Sequence, residues 1–205
     1  MINGVINIYK ERGFTSHDVV AKMRGILKQK KIGHTGTLDP DAEGVLPVCL
    51  GKGTRLCDML TDHSKVYEAV LLLGQSTDTQ DVSGNVLQEA PVDVSEEEVR
   101  EAIMSFVGPY DQIPPMYSAV KIGGKKLYEL ARKGQSVERK PREITVSRME
   151  LLSFQGTEAR HRVRCSKGTY VRTLCHDIGM TLGCGGCLSS LRRTMAGRFS
   201  LEDCV

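Results

Sequence analysis

The stretch that decides the fold of this 205-residue chain is GHTGTLDPDAEGVLP, residues 33–47. It holds three glycines, two prolines, three carboxylates, two threonines and one histidine. Glycine and proline interrupt it too often for a helical or strand period, which predicts a long, tightly turned loop. Rigidly held loops often carry catalytic groups, and Pro40 favours an extended backbone at the preceding Asp39. The alternative is an ordinary surface turn, since Asp-Pro pairs are common in turns.

The composition is that of an ordinary globular protein. Hydrophobic residues make up 40% and charged residues 26% of a chain long enough for one large domain or two small ones. No apolar run approaches the roughly 20 residues of a membrane span, and no signal peptide is visible. The seven cysteines follow no disulfide framework, which indicates reduced thiols and a cytoplasmic protein. We therefore expect no membrane association.

Charge is sorted along the chain, although the net charge is only +3. Residues 1–36 carry seven Lys/Arg against two acids, residues 121–148 nine against three, and residues 160–172 five against none. Residues 76–101 carry eight acids against one arginine. Such segregation predicts a basic face for a polyanion, with structured RNA or DNA as the first candidate and a solvated mixed surface as the alternative.

The first elements lead into the loop. Residues 5–9 alternate between apolar and polar and predict a strand. Thr15 or Ser16 then caps a helix, which Gly33 is predicted to end. The apolar face of this helix is predicted to consist of Val19, Val20, Met23, Ile26 and Leu27.

The later elements mix strands and helices without a repeating strand–helix rhythm, which predicts an α+β fold. Strands are predicted over residues 66–73, 144–154 and 158–165. One helix is predicted to begin after Ser95, which opens a capping box, and another after residues 166–169.

Several side chains in these elements could carry chemistry. Tyr67 begins a strand, where a tyrosine is more often packing than chemistry. Arg172 falls in the first turn of the last helix, where acids are favoured, so it suggests a specific carboxylate or phosphate partner; an ordinary surface arginine is the alternative. Asp78 and Asp81 are weak evidence for a metal. Cys184-Gly-Gly-Cys187 lacks the second ligand pair that structural zinc needs, so we expect no metal.

Five segments together resemble the TruB family, the bacterial tRNA pseudouridine-55 synthases. They follow the family's order, from about residue 3 to the last residue. The segments are GHTGTLDPDAEGVLPVCLGKGTRL (33–56), KVYEAVLLLGQSTDTQDVSG (65–84), IPPMYSAVKIGGKKLYELARKG (113–134), CSKGTYVRTLCHDIG (165–179) and LRRTMAGRF (191–199). The resemblance implies the pseudouridine synthase catalytic fold over residues 1–205: an α+β domain whose mixed, mainly antiparallel sheet is flanked by helices, with a central RNA-binding cleft.

The resemblance also implies an enzyme that isomerises uridine-55 in the T arm of tRNA to pseudouridine. The base is detached from C1′, rotated and rejoined through C5, which requires no cofactor. Breaking a glycosidic bond leaves positive charge on the ribose, and an ionised carboxylate stabilises or traps it. The base must first be flipped out of its stack. Asp39 corresponds to the family's essential aspartate, which either attacks the sugar or deprotonates it at C2′.

Further roles follow from the same resemblance. Tyr67 is implied to stack on the flipped uracil and to take the C5 proton, while Arg172 is implied to pair with Asp39 and keep it ionised. His34 is implied to fill the gap left by the flipped base, and Leu191 to line the uracil pocket. The other implied RNA-binding residues are Gly36, Thr37 and Lys10, together with Lys121, Lys125 and Lys126 in an RNA-gripping insertion over residues 112–140.

The chain departs from the family pattern in three places. Lys10-Glu11 stands where Lys-Pro is usual, and Cys187 stands where a histidine or similar residue is more usual. We also expect no C-terminal PUA-like domain, which predicts weaker tRNA binding with a steep salt dependence.

Two other classes of function compete with the isomerase. The first is a non-catalytic RNA-binding or RNA-folding protein on the same fold, which would not need Asp39, Tyr67 and Arg172. The second is a guide-RNA-dependent relative of the archaeal and eukaryotic type, against which the bacterial-looking insertion argues. We expect a monomer that binds tRNA and needs no obligatory protein partner.

Overall fold

Strands dominate the computed structural model, which describes residues 1–205. In chain order the elements are β1 (Gly4–Lys10), α1 (Ser16–Leu27), β2 (Ile32–His34), β3 (Glu43–Leu50), a 3₁₀ helix (Gly51–Leu56), α2 (Cys57–Thr61), β4 (Lys65–Leu73), β5 (Gln75–Thr77), β6 (Val86–Glu89), α3 (Glu96–Ser105), β7 (Gly108–Gln112), β8 (Lys121–Ile122), β9 (Lys125–Lys126), α4 (Leu127–Ala131), β10 (Arg142–Gln155), β11 (Glu158–Cys165), α5 (Val171–Thr181), β12 (Gly186–Ala196), β13 (Phe199–Ser200) and a second 3₁₀ helix (Leu201–Asp203).

The chain divides into two compact units. The first unit comprises Met1–Glu68, Arg164–Lys167 and Ser190–Val205, and the second comprises Ala69–Val163 and Gly168–Ser189. Strands and helices alternate irregularly in both, and most of the described strand pairs are antiparallel. The predicted α+β class with a mixed, mainly antiparallel sheet and flanking helices is therefore confirmed.

The first unit is organised around β3. This strand pairs antiparallel with β1 and β2, and it pairs in parallel with β12 at Glu43↔Arg192 and Gly44↔Arg193. Helix α1 buries Val19 and Val20 in a cluster whose other buried members are Ile32, Leu46, Val48 and Leu50. This packing fixes the strands on either side of residues 35–42.

In the second unit, β4, β11, β10 and β7 are hydrogen-bonded neighbours in that order. Strand β11 alternates as predicted, with Ala159, His161 and Val163 buried while Arg160 and Arg162 are exposed. Two short hairpins, β5–β6 and β8–β9, extend the unit. No helix of the chain is both long enough and apolar enough to cross a membrane.

Helix α1 begins as predicted and ends earlier than predicted. Thr15 is its N-cap: the Thr15 side chain accepts from the backbone N–H of Asp18 at 3.0 Å, and the Asp18 carboxylate accepts from the Thr15 N–H at 2.8 Å. The helix ends at Leu27 with Lys28 in the left-handed region, so the prediction that Gly33 ends it was wrong. Ile26, in the last turn, is exposed instead of belonging to the apolar face.

The predicted loop over residues 33–47 is shorter than the sequence indicated. Gly33 and His34 belong to β2, and residues 43–47 belong to β3, so only residues 35–42 are irregular. Gly44, which was predicted to interrupt regular structure, lies inside β3 and allows this strand to pair with β12. A Cβ on Gly44 would lie 2.2 Å from the backbone oxygen of Arg193, so only glycine allows this close approach of two strands.

Candidate active site

The loop that carries Asp39 is held by its backbone. The Ser16 hydroxyl, buried in α1, accepts from the Leu38 N–H at 2.9 Å and lies 3.3 Å from the Leu38 oxygen, to which it can donate. The Pro40 oxygen accepts from the Lys10 ammonium at 3.2 Å. These bonds fix the backbone on both sides of Asp39, whose residue is exposed. These bonds support the predicted stiff backbone at this position, which stays a prediction.

Lys10 anchors this loop from inside the first unit. It is fully buried, and its Nζ donates to the backbone oxygens of Glu11, Phe14 and Pro40. Burial lowers the pKa of the Lys10 ammonium group, and the negative charge of Asp39 opposes this. The described hydrogen bonds of this ammonium group all go to the protein backbone, and an RNA contact by Lys10 stays a prediction.

Tyr67 and Asp39 lie within electrostatic reach of each other in the first unit. Tyr67 is buried near the start of β4, and burial raises the pKa of its phenol. The Arg193 guanidinium, which is hydrogen-bonded to the Tyr67 hydroxyl, opposes this rise, and the charge of Asp39 adds to it. The phenol therefore stays protonated at neutral pH.

Arg193 is the residue in the first unit that sequence reasoning missed. Its residue is only 1% exposed; its Nε donates to the Val45 oxygen at 2.7 Å and its Nη2 to the Gly36 oxygen at 3.3 Å. The neighbouring Arg192 is part-exposed and pairs with Glu43 at 3.1 Å. The available signal was the period of two along β12, which places Arg193 on the same face as Leu191.

The remaining predicted residues of the first unit surround the same loop. His34 ends β2 half-buried; burial lowers the pKa of its imidazole, and the charges of His17 and Arg193 lower it further. Gly36 has a φ of +120° and offers its oxygen to Arg193, while Thr37 is exposed. Leu191 lies half-buried in β12. Their contacts with RNA stay predictions.

Arg172 occupies the first turn of α5 in the second unit, as predicted. The residue is 7% exposed, so the alternative of an ordinary surface arginine was wrong. Its Nη1 donates to the Thr79 oxygen at 3.0 Å, and its Nη2 to the Tyr117 oxygen at 2.9 Å. Its guanidinium also lies 3.7 Å from the carboxylate of Asp81. The predicted pairing of Arg172 with Asp39 stays a prediction.

Asp81 is the second residue that sequence reasoning undervalued, since it was considered only as a metal ligand. Its Oδ1 accepts from the Thr79 hydroxyl at 2.7 Å and from the Ser83 N–H at 3.0 Å, while its Oδ2 faces Arg172. The Asp78 carboxylate instead accepts from the backbone N–H of Asn85 at 2.9 Å and from the Asn85 side-chain amide at 3.0 Å. No group of three or more His, Cys, Asp or Glu side chains is arranged to hold a metal ion.

The predicted insertion presents its lysines on a small hairpin. Lys121 lies on β8, and Lys125 and Lys126 lie on β9. The first two are exposed; Lys126 is half-buried, with its Nζ 3.3 Å from the hydroxyl of Tyr128 and 5.4 Å from its ring centroid. Arg132 lies over the same ring at 5.3 Å. This part of the chain offers a concentrated basic surface.

Comparison with known proteins defines the class first. A family model described as TruB family pseudouridylate synthase (N terminal domain) matches residues 24–171. A second, described as tRNA pseudouridylate synthase B C-terminal domain, matches residues 172–205. The fold and the loop that carries Asp39 therefore belong to a protein of the pseudouridylate synthase class.

Individual relatives narrow the class. The tRNA pseudouridine synthase B of Lachnoclostridium phytofermentans is 59% identical over 98% of this chain and 68% of its own length. The tRNA pseudouridine synthase B of Alkaliphilus oremlandii is 52% identical over 100% of this chain and 68% of its own. A chain in the crystal structure of a Cbf5-Nop10-Gar1 complex matches with a TM-score of 0.77 and 38% identity, over 96% of this chain and 50% of that chain. The chain belongs to the TruB family of pseudouridylate synthases.

Proposed function

We propose that this chain isomerises uridine-55 in the T arm of tRNA to pseudouridine, with Asp39 as the essential carboxylate. One observation carries the proposal. Asp39 is exposed, and hydrogen bonds with the buried side chains of Ser16 and Lys10 fix the backbone on both sides of it. The names of the bacterial relatives support tRNA as the substrate. Catalytic groups need such fixed placement, because the reacting atoms must be held close to their reactive geometry.

Asp39 acts on the ribose while the C1′–N1 bond breaks. Its carboxylate either adds to C1′ or removes the C2′ proton, and in both cases negative charge lies beside the developing positive charge of the sugar. The detached uracil then rotates and bonds to C1′ through C5. Forming that bond releases Asp39 from C1′, or Asp39 returns the proton to C2′. C5 then loses its proton and N1 gains one, so the product has the same atoms as the substrate.

Tyr67 stacks on the flipped uracil. Its buried ring suits a planar base, and the raised pKa of its phenol keeps the hydroxyl protonated at neutral pH. A protonated phenol is a poor acceptor for the C5 proton, so the contacts of Tyr67 favour stacking over proton removal. Arg193 holds the hydroxyl through its hydrogen bond.

Arg172 pairs with Asp39 and holds its carboxylate in place. What supports this role is that a buried guanidinium is held by two backbone oxygens and faced by Asp81, so it is preorganised before substrate arrives. A charge held in advance lowers the cost of aligning it during the reaction.

RNA binding is assigned to both units. His34, Gly36, Thr37 and Leu191 receive the T loop and the flipped base, and the lysines of the β8–β9 hairpin grip the phosphates. The enzyme acts as a cytoplasmic monomer without an obligatory protein partner. Seven cysteines, all free, support the reducing compartment.

Tritium release tests the proposal. A T-arm hairpin labelled at C5 of the target uracil is incubated with wild type, Asp39→Asn and a matched control, Asp41→Asn. Asp41 is exposed in the same loop and pairs only loosely with Arg12, at 3.7 Å. We expect release by wild type and Asp41→Asn, none by Asp39→Asn, and equal hairpin affinity for all three.

Two results would overturn parts of the proposal. Substantial release by pure Asp39→Asn would remove the aspartate from the mechanism. No release by wild type, despite measurable hairpin binding, would instead identify a non-catalytic RNA-binding protein on the same fold.

A further inference from the structure

Gln112 is a buried polar residue that the proposed mechanism does not use. It is the last residue of β7 and the first residue of the insertion, and only 1% of it is exposed. A buried amide without partners costs stability, so its hydrogen bonds show what it is there to hold. Both of its described bonds go to one residue, Tyr170.

The two bonds form a closed pair. Gln112 Nε2 donates to the Tyr170 oxygen at 3.1 Å, and Gln112 Oε1 accepts from the Tyr170 N–H at 2.8 Å. The side-chain amide thus pairs with a backbone N–H and C=O as a neighbouring strand residue would. Because both groups of Tyr170 are engaged, the position of this residue is fixed along two directions.

Tyr170 is the residue from which α5 starts. It is the N-cap of the helix, has an extended backbone, and makes no side-chain capping bond. Its oxygen also accepts the first helical hydrogen bond, from the Leu174 N–H at 3.1 Å. Gln112 therefore accepts from the N–H of the N-cap residue, as the Glu or Gln side chain at N3 does in a capping box.

The same chain segment also holds the guanidinium of Arg172, two residues into the helix. The Tyr117 oxygen, five residues after Gln112, accepts from Arg172 Nη2 at 2.9 Å. Residues 112–117 thus contact both ends of the arginine: the helix turn that carries its backbone and the charged group itself.

We infer that Gln112 is a positioning residue for the isomerisation: it fixes the first turn of α5 and, through that turn, the Arg172 guanidinium. The inference rests on the proposed function, because it needs Arg172 to act in the reaction. Since Gln112 is also the root of the insertion, the insertion cannot shift at its first residue without moving Tyr170.

A double-mutant cycle tests this role. Single-turnover tritium release at saturating hairpin is measured for wild type, Gln112→Met, Arg172→Lys and the double variant. Methionine keeps the volume of glutamine and removes both bonds. We expect Gln112→Met to lower the rate about 30- to 100-fold, because small displacements of a catalytic group cost that much, with hairpin affinity unchanged. In the Arg172→Lys background, the same substitution should change the rate less than twofold.

A matched control is Gln75→Met. Gln75 is a part-buried glutamine of β5 in the same unit, and its Nε2 contacts Cys187 Sγ at 3.6 Å instead of the start of α5. It should keep the wild-type rate. If Gln112→Met does not fold, Gln112→Glu takes its place in the cycle, since it keeps the acceptor for the Tyr170 N–H and puts a carboxyl oxygen in place of the amide donor.

The outcomes separate the inference from the proposed function. Equal fold-losses in both backgrounds, or a wild-type rate for Gln112→Met, would overturn the positioning role. A wild type that releases no tritium would overturn the proposed function instead.

Discussion

Asp39 and Arg172 are held in opposite ways. Asp39 is exposed, and the bonds described around it fix its backbone neighbours Leu38 and Pro40. Arg172 is buried, and the bonds fix its guanidinium directly, through the Thr79 and Tyr117 oxygens. The difference follows from side-chain length. A short carboxylate goes wherever its backbone goes, whereas a long arginine must be held at its charged end.

The two units share one feature, which is a buried cation bonded to backbone oxygens. Lys10, Arg172 and Arg193 are all buried cations, and backbone oxygens accept many of their hydrogen bonds. A carbonyl satisfies a guanidinium or ammonium donor without cancelling its charge. The charge of a cation held in this way is therefore not neutralised by its hydrogen-bond partners.

The largest expected effect is that of Arg172→Ala, which removes the guanidinium that the Thr79 and Tyr117 oxygens hold. We expect the single-turnover rate to fall roughly a thousandfold, since preorganised charges of this kind contribute that much. The domain should stay folded, because the carboxylate of Asp81 keeps its bonds to Thr79 and Ser83. Thermal melting beside the rate measurement checks this, and a collapsed melting temperature would make Arg172 structural.

Arg193→Met should have the next largest effect, because it loosens the loop that carries Asp39. Loss of the bonds to Gly36 and Val45 frees the loop, and loss of the bond to Tyr67 frees the phenol. We expect a rate about a hundredfold lower, as small displacements at a reacting centre cost. Single-turnover tritium release measures it.

Arg192→Met is the matched control for that variant. Arg192 is the adjacent arginine, part-exposed and paired with Glu43. It should react at nearly the wild-type rate. If both variants lose the same activity, the loop is not specifically held by Arg193.

The smallest expected effect on rate belongs to His161→Met, which removes a buried group without a role in the chemistry. Burial lowers the pKa of His161 to about 4 from an ordinary value of 6.5. Between pH 6.5 and about pH 4, His161 is therefore protonated in the unfolded chain and neutral in the folded chain. Wild type should lose stability over that window, by about 3 kcal/mol at pH 4 relative to the variant.

Urea unfolding at pH 7 and pH 4 measures the difference. The variant should show the smaller loss on acidification and an unchanged rate at pH 7. Identical pH dependence of the free energy of unfolding in both proteins would show that His161 does not titrate in this way.

Features set by neighbouring residues could be predicted from the sequence. The capping box at Ser95 and Glu98 was predicted and is present, since both bonds form within four residues. The alternation along β11 was predicted because successive strand residues face opposite sides. The first-turn position of Arg172 followed from counting along its helix.

Features set by residues far apart in sequence could not be predicted. The period of two along β12 places Arg192 and Arg193 on opposite faces, but the sequence does not show which face is buried, because burial depends on the strands that enclose them. Asp81 looked like a weak metal ligand until its carboxylate was placed opposite Arg172. Gly44 looked like a turn residue because the strand that crowds it lies near the other end of the chain.

The contacts of Arg193 also set when the loop can mature. Its bonds to Val45 and Gly36 close separations of 148 and 157 residues, which are among the slowest contacts for a chain to form. On the ribosome, Asp39 is therefore synthesised long before Arg193. A nascent chain without residue 193 therefore carries Asp39 on a loop that is held by Ser16 and Lys10 but not yet by Arg193, and the Arg193 bonds form only after β12 has been made.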